Sequence, residues 1–511
     1  MKDGHWIYVP TPDAERPWTG RIWNEGDQSN RWRFEMIRSG IDGDFTTVPP
    51  FQDAAPVIGL FDHQRPCTLV RPLITRVDNG KAGLDFPFLR TRIEGSCEAL
   101  LTGLAVADEL DEVFAGVGFE SEAFSAWYSG RAFSTQRDYE SRTDRIETSG
   151  AQREVVQVPG LGEVEGIRLA TVQENHRSSV VMSRHILKVR FEKAQSLREV
   201  INLCLGLEFL FGFLAGFRPK PPAFNIWQTS APQGTGTFAM DKIPPQAPEG
   251  KLEIGGVRWS RGDAPHPMRL IHRCDQGGIG LKHVLDAFTN KPNDYVIRIH
   301  AVEASRHFAT TLNNKFAQAM PVFEEFLRST FTAPDEVSYA AHEKTFFDWI
   351  EASQEESVRE FAKKHVKVVQ RKAPSLPQLI DRGLQTLRAD GFRFPTPLAK
   401  GIASRRGAMF HSAPLMEEND VPAFYHEVRA ITFALLLLTL KDLGIPVSTL
   451  IEEYHALSDY SDFLKEGPWE RREREAEIKQ DEDAEQRRDW SVGGGEKRTS
   501  AAQLKRNFPK I

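Results

Sequence analysis

Near residue 196 the chain changes its punctuation, and that change constrains the fold more than any other feature. Before it, short apolar runs such as "APVIGLF", "CTLVRPLITRV" and "SSVVMSRHILKVRFE" alternate with breakers such as "SGIDGD" and "VDNGKAG". Runs of this length bounded by turn residues predict antiparallel strands. Beyond it, apolar residues recur at helical spacing between Ser, Thr or Asp caps and glycine stops. The expectation is an α+β chain in four parts. These are a β-rich sensing domain over 1–195, a mixed helical region over 196–332 packed on it, an all-α bundle over 333–465 and a charged flexible tail over 466–511.

Within the first part, helix-like spacing is confined to "EALLTGLAVADELDEVF". In the second, "SLREVINLCLGLEFLFGFL" is the best helix, and "AVEASRHFATTLNNKFAQAMPVFEEFLRSTF" is helical with a break expected at Pro321. The most apolar run, Val200 to Phe217, carries Glu208 near its middle and barely reaches a bilayer's thickness, so it predicts a buried helix and not a membrane span. In the bundle, Asp335 or Ser338 would cap a long helix reaching Val369. Ser375 caps a helix with an apolar face of Leu379, Ile380, Leu384 and Leu387 and a stop at Gly391. Thr396 with Pro397, then Asp420 with Pro422, open the next two, the second closing on Gly444. Helices joined this closely pack as a bundle.

Net charge is -6, so no global basic field attracts nucleic acid, and any RNA contact needs a local patch. The cysteines, Cys67, Cys97, Cys204 and Cys274, lie far apart in sequence, which fits neither a disulfide framework nor a zinc ribbon and suits a reducing compartment. "MKDGHWIYVPTPDAERPW" lacks an apolar leader. The expectation is a soluble cytoplasmic protein.

The chemistry-bearing stretch is "ASRRGAMFHSAP", with Arg405, Arg406 and His411. Metal-free RNA cleavage needs a base for the ribose 2′-OH and a fixed cation on the phosphate. Histidine suits proton transfer near neutral pH, and arginine offers a charged fork matched to phosphate. The spacing alone is uninformative, because Arg261/His266 repeats the five-residue gap of Arg406/His411 and Arg359/His365 the six-residue gap of Arg405/His411. The first of these lies in a proline-bounded loop and the second on the polar face of a long helix. Only Arg406/His411 ends a short helix inside the bundle. Positions five apart on a regular helix point ~140° from each other. The pair therefore meets on one phosphate only if the helix distorts at Gly407, ends at Phe410, or faces a second copy of the chain. Glu343, on one helical face with Phe347 and Ile350, is a candidate to orient His411 or hold Arg406.

The block "SRRGAMFHSAPLMEENDVPAFYHEVRAITFALLLLTLKDLG" resembles the C-terminal HEPN domain of ApeA-type abortive-infection proteins, and "APVIGLFDHQRPCTLVRPLITR" resembles a strand-turn-strand of their N-terminal half. The resemblance maps Arg406 and His411 onto the family's arginine and histidine. Gly407 stands where that family usually has asparagine, and Arg405 offers a second arginine for the role. What the resemblance implies is a homodimer with a composite site, no cofactor or metal, cleavage of cellular RNA (tRNA among the candidates) and growth arrest on phage infection. The β-rich part would then sense a phage-derived trigger. A non-catalytic RNA-binding or dimerising bundle is the alternative, and a carbohydrate- or protein-binding β module a third.

Other motifs point to structure. His266, His272, Cys274 and His283 match no standard zinc spacing. "GLGEVEG" and "QGGIG" lack the lysine of a phosphate-cradling loop. Trp6, Trp18, Trp23 and Trp32 are expected in packing more than in stacking on a ligand.

Overall fold

The computed structural model describes residues 5–9, 17–25, 31–40, 55–61, 65–81, 89–130, 133–138, 143–148, 150–175, 178–229, 249–255, 271–274, 278–307, 310–331, 344–346, 348–352, 355–365, 374–410, 420–451 and 458–464. The chain is α+β: a large antiparallel sheet dominates the N-terminal half and helices the C-terminal half. Fourteen strands form one sheet in the order β12-β13-β14-β9-β15-β16-β8-β5-β4-β1-β2-β3-β7-β6, and every described pairing is antiparallel. A separate hairpin joins β10 (Phe133–Asp138) to β11 (Thr143–Thr148).

The first half of the sheet closes on itself. β5 (Arg65–Val70) and β6 (Leu73–Lys81) face β8 (Ala99–Thr102) and β7 (Leu89–Cys97), with Cys67 opposite Thr102, Val70 opposite Ala99, and Leu73 opposite Ser96. The register is unchanged across Arg71 and Glu98, so the four strands are one hairpin bent at its middle. β7 also pairs with β3 (Trp32–Gly40), which continues through β2 (Trp18–Asn24), β1 (His5–Val9) and β4 (Val57–Phe61) back to β5. Because Cys97 runs through Glu98 straight into Ala99, the strands form a ring. Ile7, Trp18, Trp32, Phe34, Cys67 and Ile93 fill it. The bend at Arg71 uses a left-handed φ of 48°, which costs a non-glycine residue roughly 1–2 kcal/mol. Arg71 offsets this by bonding Glu98 at 3.0 Å and Glu109 at 3.0 Å, tying the corner to the loop beyond it.

From β8 the sheet continues outward through β16 (Glu249–Ile254), β15 (Phe224–Gln228), β9 (Phe114–Phe119), β14 (Ser178–Gln195), β13 (Gly162–Asn175) and β12 (Gln152–Val158). β15 and β16 come from the middle of the chain, so the sheet draws on residues past 195. The helix expected in "EALLTGLAVADELDEVF" is instead β8, a loop and the start of β9. Its apolar cluster, Ala99 to Leu101, is buried between two partner strands, and so short a buried run shows no alternation to distinguish it from a helix.

Helix α1 (Glu122–Trp127) and helix α2 (Leu197–Ala215) cover this part of the sheet. α2 begins on a reciprocal cap between Ser196 and Glu199 and ends on Gly216 at φ 77°. α3 (Leu281–Asn290), α4 (Pro292–His307) and α5 (Leu312–Phe331) follow. α5 runs unbroken through Pro321. The carbonyl freed four residues earlier belongs to exposed Ala317, where water can reach it, while Phe316, Met320, Phe323 and Leu327 are buried on both sides of the proline. At roughly 1.5–3 kcal/mol per large apolar side chain, that burial outweighs a proline cost of about 3 kcal/mol.

Among the described residues, the single helix expected up to Val369 is interrupted. Residues 344–346 and 348–351 are helical, Glu355 is not, and α6 spans Glu356–His365. Asp335 and Ser338 lie outside the described residues. α7 (Leu376–Ala389) starts after Ser375, whose backbone N–H and hydroxyl donate to Gln378 Oε1 at 2.8 and 3.0 Å; its four predicted face residues are buried, and a left-handed Gly391 lies beyond it. α8 (Leu398–Phe410) and α9 (Val421–Asp442) complete the bundle. α9 is apolar and long enough to cross a membrane, and most of it is buried among α4, α5 and α7. One continuous core joins the bundle to α2 and the outer sheet.

α2 carries a buried acid into that core. Glu208 accepts a hydrogen bond from the Ser121 hydroxyl at 2.9 Å, and the same hydroxyl caps α1. Burial pushes the Glu208 carboxyl up to about 8, against the pull of Ser121 and Arg218. The raised value means that the folded protein holds this proton more tightly than the unfolded chain. Its stabilising contribution is complete below the unfolded value near ~4.3 and is lost as pH rises toward 8, at about 1.4 kcal/mol per unit. Glu208→Gln removes the ionisation. The variant is expected to gain stability relative to the parent between pH 5 and pH 8, read as diverging urea midpoints.

Candidate functional site

Arg405 and Arg406 leave α8 about 100° apart, and the difference decides what each can do. Arg405 turns into the bundle. Its guanidinium bonds Glu427 of α9 and, at 2.5 Å, Asp420 just ahead of α9, and it lies 4.8 Å over the Phe424 ring. Burial disfavours its charge, but hydrogen bonds and charge from Asp420 and Glu427 outweigh that and raise its pKa. With only 11% of its side chain exposed, Arg405 is a clamp between helices. Gly401, one turn earlier, makes room for it: a Cβ there would stand 2.3 Å from the Glu427 carboxylate.

Arg406 faces α5. Its Nε donates to Glu324 Oε2 at 2.8 Å and an Nη to Oε1 at 3.3 Å. Arg328, one turn along α5, donates to the same Oε1 at 3.0 and 2.7 Å. One carboxylate therefore sits between two guanidiniums. Burial opposes the charge on Glu324, yet the bonds and charges of Arg328 and Arg406 win and hold its carboxyl below the usual range. The three polar groups line an open groove of about 280 Å³ between α5 and α8, with Met320, Pro321 and Met409 as its apolar wall. That volume lies just under the range of about 300–1,000 Å³ found for small-molecule sites.

α8 is helical straight through Gly407 to Phe410, so a distortion at the glycine does not bring Arg406 toward the following residues. Nothing lies within 4 Å of a Cβ placed on Gly407, so a side chain fits there. His411, the partner expected from sequence, lies outside the described residues, as does the candidate carboxylate Glu343. The described carboxylate that meets Arg406 is Glu324, which sequence reading missed. Its signal was the i,i+4 pair Glu324 and Arg328 beside the buried Phe323 and Leu327. The contact with Arg406 spans 82 positions and leaves no local pattern.

Arg261 and His266 are outside the described residues. Arg359 is half-buried on α6, whose other described side chains are exposed. Of the histidine and cysteine set, His272 accepts the Trp127 indole N–H at 3.2 Å, Cys274 is buried, and the His283 ring packs on Gly444. Trp18 and Trp32 fill the ring of strands, while Trp6 is 48% exposed with Arg21 4.7 Å over its face.

Two contrasts test this geometry. Arg405→Ala strands a buried carboxylate and is expected to cost about 3–5 kcal/mol, against ~1 kcal/mol or less for half-exposed Arg406→Ala, both by urea unfolding. Gly407→Ala is expected to stabilise by about 0.5–1 kcal/mol through helix propensity. Gly401→Ala, one and a half turns away, is expected to destabilise by displacing Glu427 from Arg405. No family model, curated protein or solved structure matches this chain.

Proposed function

We propose that this chain is a metal-independent endoribonuclease of the HEPN type that acts in the cytoplasm in phage defence. Arg406 holds the scissile phosphate and His411 takes the 2′-OH proton. The observation that carries the reading is the different fate of the two adjacent arginines. Arg405 is spent inside the bundle, whereas Arg406 lines an open groove a few residues ahead of His411. A fixed guanidinium at the rim of such a groove is the group that must neutralise a phosphate in the transition state. With α8 unbroken through Gly407 and ending at Phe410, two of the three routes stay open: a helix end ahead of His411, or a site completed by Arg406 of a second copy across a two-fold axis. Cellular RNA, tRNA included, is the substrate class, and the sheet half restrains the bundle until a phage product engages it.

A second reading has an observation of its own. Arg406 already has a carboxylate partner in Glu324, as an arginine used for packing would. On that reading the bundle binds RNA or dimerises without cutting. Growth and RNA integrity with and without phage separate the two, using the parent, Arg406→Ala and His411→Ala. The nuclease reading expects RNA cleavage insensitive to chelator, lowered at least ~100-fold by His411→Ala, with protection lost in parallel. Protection and cleavage that survive His411→Ala would sink the catalytic assignment.

A further inference from the structure

The Glu324 carboxylate has an arrangement that a packing ion pair does not need. Its Oε1 receives Arg328 at 2.7 Å and Arg406 at 3.3 Å, and its Oε2 receives Arg406 at 2.8 Å. Two guanidinium forks thus converge on a two-oxygen anion that presents the face a phosphodiester presents. The groove is lined by two guanidiniums and two carboxylates, Glu324 and Glu325, so its formal charge is balanced while Glu324 lies between the arginines. Both arginines reach solvent, with 32% of the Arg406 side chain and 51% of the Arg328 side chain exposed. Glu324 and Arg328 belong to one helix at i,i+4, while Arg406 comes from another. Glu324 itself is buried, with 11% of its side chain exposed, so opening the Arg406 link takes a rotamer change that carries its carboxylate out between the two arginines while α5 stays folded.

We propose that Glu324 is a built-in stand-in for a substrate phosphate. Its carboxylate occupies, in the resting protein, the place between Arg406 and Arg328 that an RNA phosphodiester takes on binding, and Arg328 is the second phosphate-binding residue of the site. This rests on the RNA reading above and adds both a contact and a brake to it. An incoming phosphodiester brings one negative charge to the same two guanidiniums, so the exchange conserves the local charge balance once Glu324 has turned toward water. The brake also gives Glu324 a sign. If the residue merely positioned Arg406, its removal would weaken RNA binding. If it competes with phosphate, its removal strengthens binding.

The test is fluorescence anisotropy of a labelled single-stranded RNA oligonucleotide with 2′-O-methyl ribose, which binds but offers no 2′-OH for cleavage. The full chain is titrated as parent, Glu324→Gln, Arg328→Gln and Arg406→Ala, with thermal melts confirming that each variant is folded. Glu324→Gln keeps the shape and removes the charge, and is expected to bind about tenfold more tightly, the size of one charge-assisted contact. Arg328→Gln is expected to bind about tenfold more weakly, with the salt slope reduced by about 0.7, the value for one lost phosphate contact on a single strand. Unchanged or weaker binding by Glu324→Gln overturns the stand-in, and parental binding and salt slope in Arg328→Gln overturn the second contact. A parallel assay on unmodified RNA keeps the two proposals apart. Binding shifts as expected with no cleavage leave the subsite standing and remove the nuclease. Cleavage that depends on His411 with no binding shift does the reverse.

Discussion

The burial of α2 from two sides is the constraint on which the rest of this molecule depends. One side of the helix meets β9 and α1, the other meets α4, and its side chains belong to the core that reaches α9. From Leu203 to Ala215 no residue of α2 is exposed, and so apolar a stretch must be enclosed. The sheet cannot shed it without exposing Val117 and Phe119, and the bundle cannot shed it without exposing α4. Sheet and bundle are therefore one cooperative body around α2. The polar groups in this layer are few and placed for the purpose. Ser121 serves both as the cap of α1 and as donor to Glu208, and Arg218, held at about 10 by burial against the pull of Glu303 and Glu208, follows directly on the helix end.

How much of this was legible in the sequence depended on the distance over which each signal acts. Ser375, Gly391 and Gly444 mark helix ends because caps are local: Ser375 stands where its helix starts, and the two glycines stand just past the ends of theirs. β8 was misread because a four-residue strand with three consecutive buried residues carries no period. Pro321 was misread because a local rule about a missing N–H was set against a long buried face that only the assembled bundle reveals. The ring of strands was hidden for a further reason. Closure follows from register between β5 and β8 and between β3 and β7, and register is a property of pairs, not of any one run.

The site divides along the same line. Arg406 was found because its helix is short, capped and followed by another. Glu324 was missed because it reads as the polar edge of an amphipathic helix, and its partner across the groove is named nowhere near it. The sequence also offered no means to rank Arg405 against Arg406. Both are arginines on one turn, and only packing distinguishes a residue with 11% of its side chain exposed from one with 32%.

That distinction has a cause within α8 itself. A helix lying on a neighbour can rotate about its axis unless some side chain fixes its azimuth. Arg405 does so, because its fork is pinned to Glu427 inside α9 and to Asp420 ahead of it, with the Phe424 ring beneath. Gly401 lets the Glu427 carboxylate come close enough to be gripped. With that azimuth fixed, the next residue along must point about 100° away, which is toward α5 and the groove. The buried arginine thus aims the exposed one. The two adjacent cations are not alternatives for a single role: Arg405 orients the helix, and Arg406 meets whatever anion the groove receives, Glu324 at rest.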